Sequence, residues 1–142
     1  MKFPFKTILK SENDTSEIAK EFSEVLINGD IVALNGDLGT GKTFFVKAVC
    51  KEFKILNVNS PTFAIVYEYS GSKKIYHFDF YRIKKLVELY DIGIEEYLND
   101  EDSVVFIEWA DLMSEIIPKK HYEIKLKILD NENREIQITK YE

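Results

Sequence analysis

Gly36-Asp37-Leu38-Gly39-Thr40-Gly41-Lys42-Thr43 stands just beyond the apolar run Ile31-Val32-Ala33-Leu34. Its spacing is G-x-x-x-x-G-K-T, that of the phosphate-binding P-loop. Glycine lets the backbone turn tightly enough for consecutive N–H groups to face one concavity of phosphate size. In that cradle Lys42 supplies a point charge for the β- and γ-phosphates, and the Thr43 hydroxyl is placed to ligate Mg²⁺. A helix should follow over Lys42 to Phe53, and its N-terminal dipole also favours an anion. Strand, glycine-rich turn and amphipathic helix in this order predict binding of a nucleoside triphosphate.

On the N-terminal side a short strand is expected near Phe5 to Leu9. Ser11, Asn13, Asp14 and Thr15 then offer N-caps for a helix that aligns Ile18, Phe22, Val25 and Leu26, and Asn28-Gly29-Asp30 ends it. On the C-terminal side Phe63 to Tyr69 and Lys74 to Phe80 are rich in β-formers, with Ser70-Gly71-Ser72 reading as a hairpin turn. Val87 to Leu98 is helical with a break at Gly93. Val104-Val105-Phe106-Ile107 has the continuous apolar character of a strand covered on both faces. Tyr122 to Leu129 and Glu135 to Tyr141 alternate across Asp130-Asn131-Glu132-Asn133, which predicts a second hairpin. These elements predict one α/β domain over residues 1–142, a P-loop NTPase-like three-layer arrangement. Its central sheet is mixed and partly parallel, with antiparallel hairpins attached.

Composition narrows the partners. The 142 residues are 45% hydrophobic and 31% charged, as in a soluble globular protein, and the net charge is −6. Nucleic-acid binders usually carry a basic stripe, because phosphate neutralisation supplies much of their affinity. Here lysines and arginines are scattered among acids, so direct binding of DNA or RNA is not expected. Cys50 is the single cysteine and reads as a buried small residue in a reducing compartment. The chain shows neither a signal-peptide pattern nor 18 consecutive apolar residues, so a cytoplasmic protein without a membrane span is expected.

Phosphoryl transfer is mostly alignment and electrostatics, so a P-loop needs acids delivered from elsewhere. Glu108 directly follows Val104 to Ile107, a carboxylate at the C-terminal end of an apolar strand, on the edge where the P-loop also sits. Asp79 lies in His77-Phe78-Asp79-Phe80-Tyr81-Arg82, where alternation sets His77, Asp79 and Tyr81 on one side. The lesser alternatives are a solvated strand end for Glu108 and, for Asp79, an ion pair with Arg82 or a lysine. His77 is expected to orient Asp79 by a hydrogen bond. With His121 the only other histidine and no cysteine cluster, zinc is not expected. Trp109 suits either a nucleotide neighbour or core packing at the sheet edge. Ser60-Pro61-Thr62 is a stiff turn, either a γ-phosphate sensor or a strand initiator.

Together the P-loop, Ser60-Pro61-Thr62-Phe63, His77-Phe78-Asp79-Phe80-Tyr81-Arg82 and Glu108-Trp109 resemble the bacterial TsaE family. Those are small P-loop ATPases required for threonylcarbamoyladenosine modification of tRNA. The resemblance covers nearly the whole chain, including Glu88 to Leu98 with its internal Gly93. It implies ATP binding and slow hydrolysis, Mg²⁺ dependence, and association with the TsaD–TsaB pair, through which tRNA would be met indirectly. Carried over by position, Asp37, Leu38, Gly39, Thr40, Gly41, Lys42 and Thr43 would hold the phosphates. Thr43 and Glu108 would stand around Mg²⁺ with Asp79 in or beside that shell, and Lys42, Asp79 and Glu108 would carry catalysis. Thr62 would occupy a switch-like position near the γ-phosphate, with Trp109 close by. Ser11, Thr15 and Arg134 would approach the nucleoside. Two positions depart from the family: Thr40 replaces a usual alanine, and Phe44 a common second threonine.

Other functions fit less of the chain. A small-molecule or nucleotide kinase would need an acceptor-binding insertion and an arginine-rich lid, whereas Arg82 and Arg134 are the only arginines. A small GTPase would need N-K-x-D, which is absent from the sequence. A third reading makes ATP a conformational switch with incidental hydrolysis.

Overall fold

Strands Ile31–Asn35 (β2) and Ser103–Glu108 (β5) lie side by side and parallel, pairing Ile31 with Val105 and Leu34 with Glu108. The computed structural model describes residues 1–58, 65–130 and 132–142. Ser60-Pro61-Thr62-Phe63, and with it the expected role of Thr62, lies outside the described residues. Around the central pair run Phe5–Leu9 (β1), Val66–Ser70 (β3), Lys74–Asp79 (β4), His121–Ile128 (β6) and Arg134–Tyr141 (β7). The seven-stranded order is β1-β7-β6-β2-β5-β4-β3. β4, β5, β2 and β6 are mutually parallel, whereas β3–β4, β6–β7 and β1–β7 pair antiparallel. The expected mixed sheet with attached hairpins is therefore present.

Alternation at the centre explains why its strands read as unbroken apolar runs. Val32, Leu34, Val104 and Phe106 join one buried cluster, while Ile31, Ala33, Val105 and Ile107 join the other. The first cluster is closed by Glu12–Val25 (α1) and Lys42–Glu52 (α2), through Ala19, Phe22, Phe45, Val46, Val49 and Cys50. The second is closed by Leu86–Asp91 (α3), Ile94–Leu98 (α4) and the 3₁₀ segment Ala110–Ile116, through Leu89, Ile94, Ala110 and Met113. Helices thus cover both sheet faces.

Local chemistry sets the helix boundaries. Ser11 caps α1 by accepting from the Asp14 N–H at 3.1 Å, and Asp14 returns the favour to the Lys10 N–H at 2.9 Å. The expected break in the third helical stretch falls at Gly93, whose φ of 76° suits glycine and separates α3 from α4. Cys50 is buried, as expected, and burial pushes its thiol up to about 12. Among the described residues no helix is long and apolar enough to cross a membrane.

Candidate functional site

Parallel strands β2, β5 and β4 end at one edge of the sheet, and that edge gathers the chemistry. β2 ends at Asn35, the P-loop turns out from Gly36, and α2 begins at Lys42. Gly39 and Gly41 take φ values of 78° and 102°, in the left-handed region that only glycine enters cheaply. A Cβ on Gly36 would stand 2.5 Å from the Leu126 carbonyl oxygen, so β6 passes too close for any side chain there. Gly41 is the N-cap of α2 and has no side chain to cap it, which leaves the first N–H groups of the helix for an anion. Thr40, the departure from alanine, donates to the Asp37 carbonyl at 2.9 Å and tightens the loop.

Lys42 is only 5% exposed. Its ammonium donates to the Gly36 and Asp37 carbonyls and lies 4.2 Å from the centroid of the Trp109 ring. Among the described residues no carboxylate reaches it within salt-bridge distance. Burial lowers its pKa, while the more distant charges of Glu108, Asp79, Asp37 and Asp111 oppose that shift. A buried cation without a contacting anion is suited to receive one from outside.

Glu108 ends β5 at 3% exposure and is held from two sides. The Thr43 hydroxyl lies 2.8 and 2.9 Å from its two oxygens, and His77 Nε2 lies 2.6 Å from Oε2. A carboxylate can only accept here, so the His77 ring carries its proton on Nε2, and Nδ1 is buried without a partner among the described residues. The expectation that His77 orients Asp79 is therefore corrected: the ring serves Glu108. His77 pairs with Phe106 on β5, and the pleat aims its ring along the sheet face toward the carboxylate two residues further on.

Asp79 ends β4 directly beside Glu108 in the parallel register. It accepts from the Tyr81 N–H at 2.9 Å. Burial raises its pKa, the Tyr81 bond counters that, and the neighbouring Glu108 charge adds to the rise. Trp109 follows Glu108 with φ 58° and ψ 36°, and its ring meets Tyr81 at 4.9 Å. The Trp109 ring both stacks on the Lys42 ammonium and packs against the second buried cluster.

Magnesium needs hard oxygen donors, and a P-loop site takes one or two from protein and the rest from water and phosphate. The Thr43 hydroxyl and the Glu108 carboxylate converge at such a position, with Asp79 alongside, so the donor set fits. Among the described residues no group of three or more His, Cys, Asp or Glu is arranged to hold a metal unaided.

Beside the loop opens a cleft of about 500 Å³. Ser11, Thr15, Gly39, Phe44 and Arg134 are among its lining residues, so the start of α1 and the start of β7, far apart in sequence, share one wall with the P-loop. Arg134 reaches the Gly39 carbonyl at 3.5 Å and the Asn133 carbonyl at 3.3 Å. Asn35 escaped the sequence reading. Its amide donates to Glu123 Oε2 at 3.0 Å and accepts from the Asp111 N–H at 2.9 Å. A polar residue closing an apolar strand was the signal available for it.

The chain as a whole is similar to known proteins. A family model described as threonylcarbamoyl adenosine biosynthesis protein TsaE matches residues 9–136. The chain is 44% identical over 135 residues to the tRNA threonylcarbamoyladenosine biosynthesis protein TsaE of Rickettsia typhi, covering 93% of this chain and 92% of that one. It is 39% identical over 128 residues to the Bacillus subtilis protein of the same name, covering 89% and 79%. The crystal structure of Bacillus subtilis YdiB superposes with a TM-score of 0.82 at 31% identity, covering 100% of this chain and 88% of that one.

Proposed function

The chain belongs to the TsaE family of threonylcarbamoyladenosine biosynthesis, and from that premise we propose that it is a Mg²⁺-dependent ATPase serving this modification of tRNA. The observation that carries the proposal is the single edge that joins the P-loop, buried Lys42 and the Thr43–Glu108 pair. ATP would lay its phosphates in the loop over residues 36–43, where helix N–H groups and Lys42 meet their charge. Its nucleoside would enter the cleft lined by Ser11, Thr15 and Arg134. Thr43 and Glu108 would hold Mg²⁺, with Asp79 in or beside its shell; the bound ion neutralises charge that develops between the β- and γ-phosphates.

Within this arrangement the chain's own groups have separable tasks. Lys42 counters charge on the transferring phosphoryl group, and Trp109 walls the ammonium from water. His77 fixes the Glu108 carboxylate by its Nε2–H. Asp79, with its pKa raised by burial, would align the attacking water and accept its proton. Two arginines leave little side-chain charge for the transition state, which favours a slow enzyme completed by TsaD and TsaB.

Phosphate release from ATP and Mg²⁺, measured alone and with purified TsaD and TsaB, is the test. Weak turnover alone, a marked change with both partners, and co-elution on gel filtration are expected. Absence of co-elution in every nucleotide state, together with phosphorylation of a small metabolite, would replace this reading with that of a kinase. Nucleoside analysis of tRNA from a depleted strain should show loss of threonylcarbamoyladenosine.

A further inference from the structure

The turn that carries Trp109 lacks a cap of its own. Trp109 is the N-cap of the 3₁₀ segment Ala110–Ile116, sits in the left-handed region and caps no N–H with its side chain. The second N–H of the segment, that of Asp111, donates instead to Asn35 Oδ1 at 2.9 Å, across from β2. The other end of the same amide donates to Glu123 Oε2 on β6 at 3.0 Å. Glu123 is itself steadied by Lys125 at 3.7 Å and by the Tyr141 hydroxyl at 3.4 Å. A backbone bond from the Trp109 N–H to the Leu34 carbonyl, 3.0 Å, runs beside this bridge.

We propose that Asn35 is a positioning residue that caps the Trp109 turn from β2 and so holds the Trp109 ring over Lys42. The chemistry requires an amide. Asn35 must offer an acceptor to a backbone N–H and a donor to a carboxylate, and among side chains of this length only asparagine has both. Aspartate would keep the bond to Asp111 but set a second carboxylate against Glu123. Alanine would make neither bond. Because Gly36 comes next and its carbonyl holds the Lys42 ammonium, one side chain locks the loop, the lysine and the ring into a single unit. The functional consequence rests on the nucleotide reading above; the positioning itself can be tested without nucleotide.

Trp109 is the only tryptophan, so emission excited selectively in tryptophan, beyond the absorption of the tyrosines, reports this turn. In the full chain without nucleotide, Asn35→Asp should shift Trp109 emission to the red and raise its quenching by acrylamide. The double variant Asn35→Asp with Glu123→Gln restores a donor facing the new carboxylate and should return both signals toward the parent. Asn35→Ala, free of the repulsion, should still shift the emission, and it keeps the question open to test should Asn35→Asp fail to fold. In calorimetry each single variant at Asn35 should weaken ATP binding by about tenfold, the scale of one hydrogen bond. Parental emission and quenching in Asn35→Ala and Asn35→Asp would overturn the proposal. So would a shift in Asn35→Asp that the folded double variant does not reverse. A parent protein that fails to bind ATP, with the emission shifts as expected, would overturn the nucleotide reading and leave Asn35 as the cap of this turn.

Discussion

Glu108 and Glu135 are the same residue on strands of the same sheet, and their surroundings could hardly differ more. β5 is buried along its whole length, and Glu108 at its end meets Thr43 and His77 at 2.6–2.9 Å. β7 alternates between core and solvent, and Glu135 pairs with Lys6 at 3.6 Å with the two side chains 28% and 60% exposed. A carboxylate at the end of a fully covered strand has lost its water, so it persists only with dedicated partners or a task. A carboxylate on a half-exposed strand keeps its water and pairs for little gain. Burial of the host strand therefore separates a site acid from a surface acid.

The largest effect should come from the covering itself. Phe106→Ala on β5 should cost about 3–5 kcal/mol in urea unfolding, since Phe106 is fully buried between α2 and the sheet. A loss below about 1 kcal/mol would mean that the strand is not sealed as described. Glu108→Gln comes next: its one amide oxygen can still accept from His77, but an NH2 replaces the other oxygen and the charge is gone, so ATP turnover should fall by about 100-fold with a small change in Tm. Full turnover with a large loss of stability would make Glu108 structural.

Asp79→Asn probes the acid that lies between the two extremes. A carboxylate whose folded pKa is raised costs the folded state most when it is ionised, so stability is highest below its unfolded value and declines as pH rises through the folded one. The variant should melt slightly higher than the parent at neutral pH without nucleotide and match it in acid, while turnover drops. A lower melting temperature at neutral pH would show that the Asp79 charge is satisfied after all. Smallest of all, Glu135→Gln should change stability by under about 0.5 kcal/mol and leave turnover alone. An effect as large as that of Glu108→Gln would break the contrast.

Elements with one decisive pattern were legible in the sequence, and relations across the chain were not. The P-loop, the β5 run ending in Glu108 and the interruption at Gly93 each follow from residues adjacent in sequence. β1 could be placed at Phe5 to Leu9, but nothing local says that it pairs with β7, which begins 125 residues after β1 ends. The partner of His77 was misassigned because alternation puts His77 and Asp79 on one side of β4, while the contact runs between strands, to Glu108. Ser11, Thr15 and Arg134 meet at one cleft through the β1–β7 pairing that no window of sequence contains. Asn35 lies just past the apolar run Ile31 to Leu34, and its cap on Asp111 appears only once β2 and β5 lie side by side.

The central claim is that the edge built around Lys42 binds ATP with Mg²⁺. Titration calorimetry of the parent and of Lys42→Ala with ATP and Mg²⁺ tests it most directly. The parent should bind, and the variant, deprived of the buried ammonium that would meet the phosphates, should bind at least about 100-fold more weakly. Equal affinity of the two proteins would contradict the account.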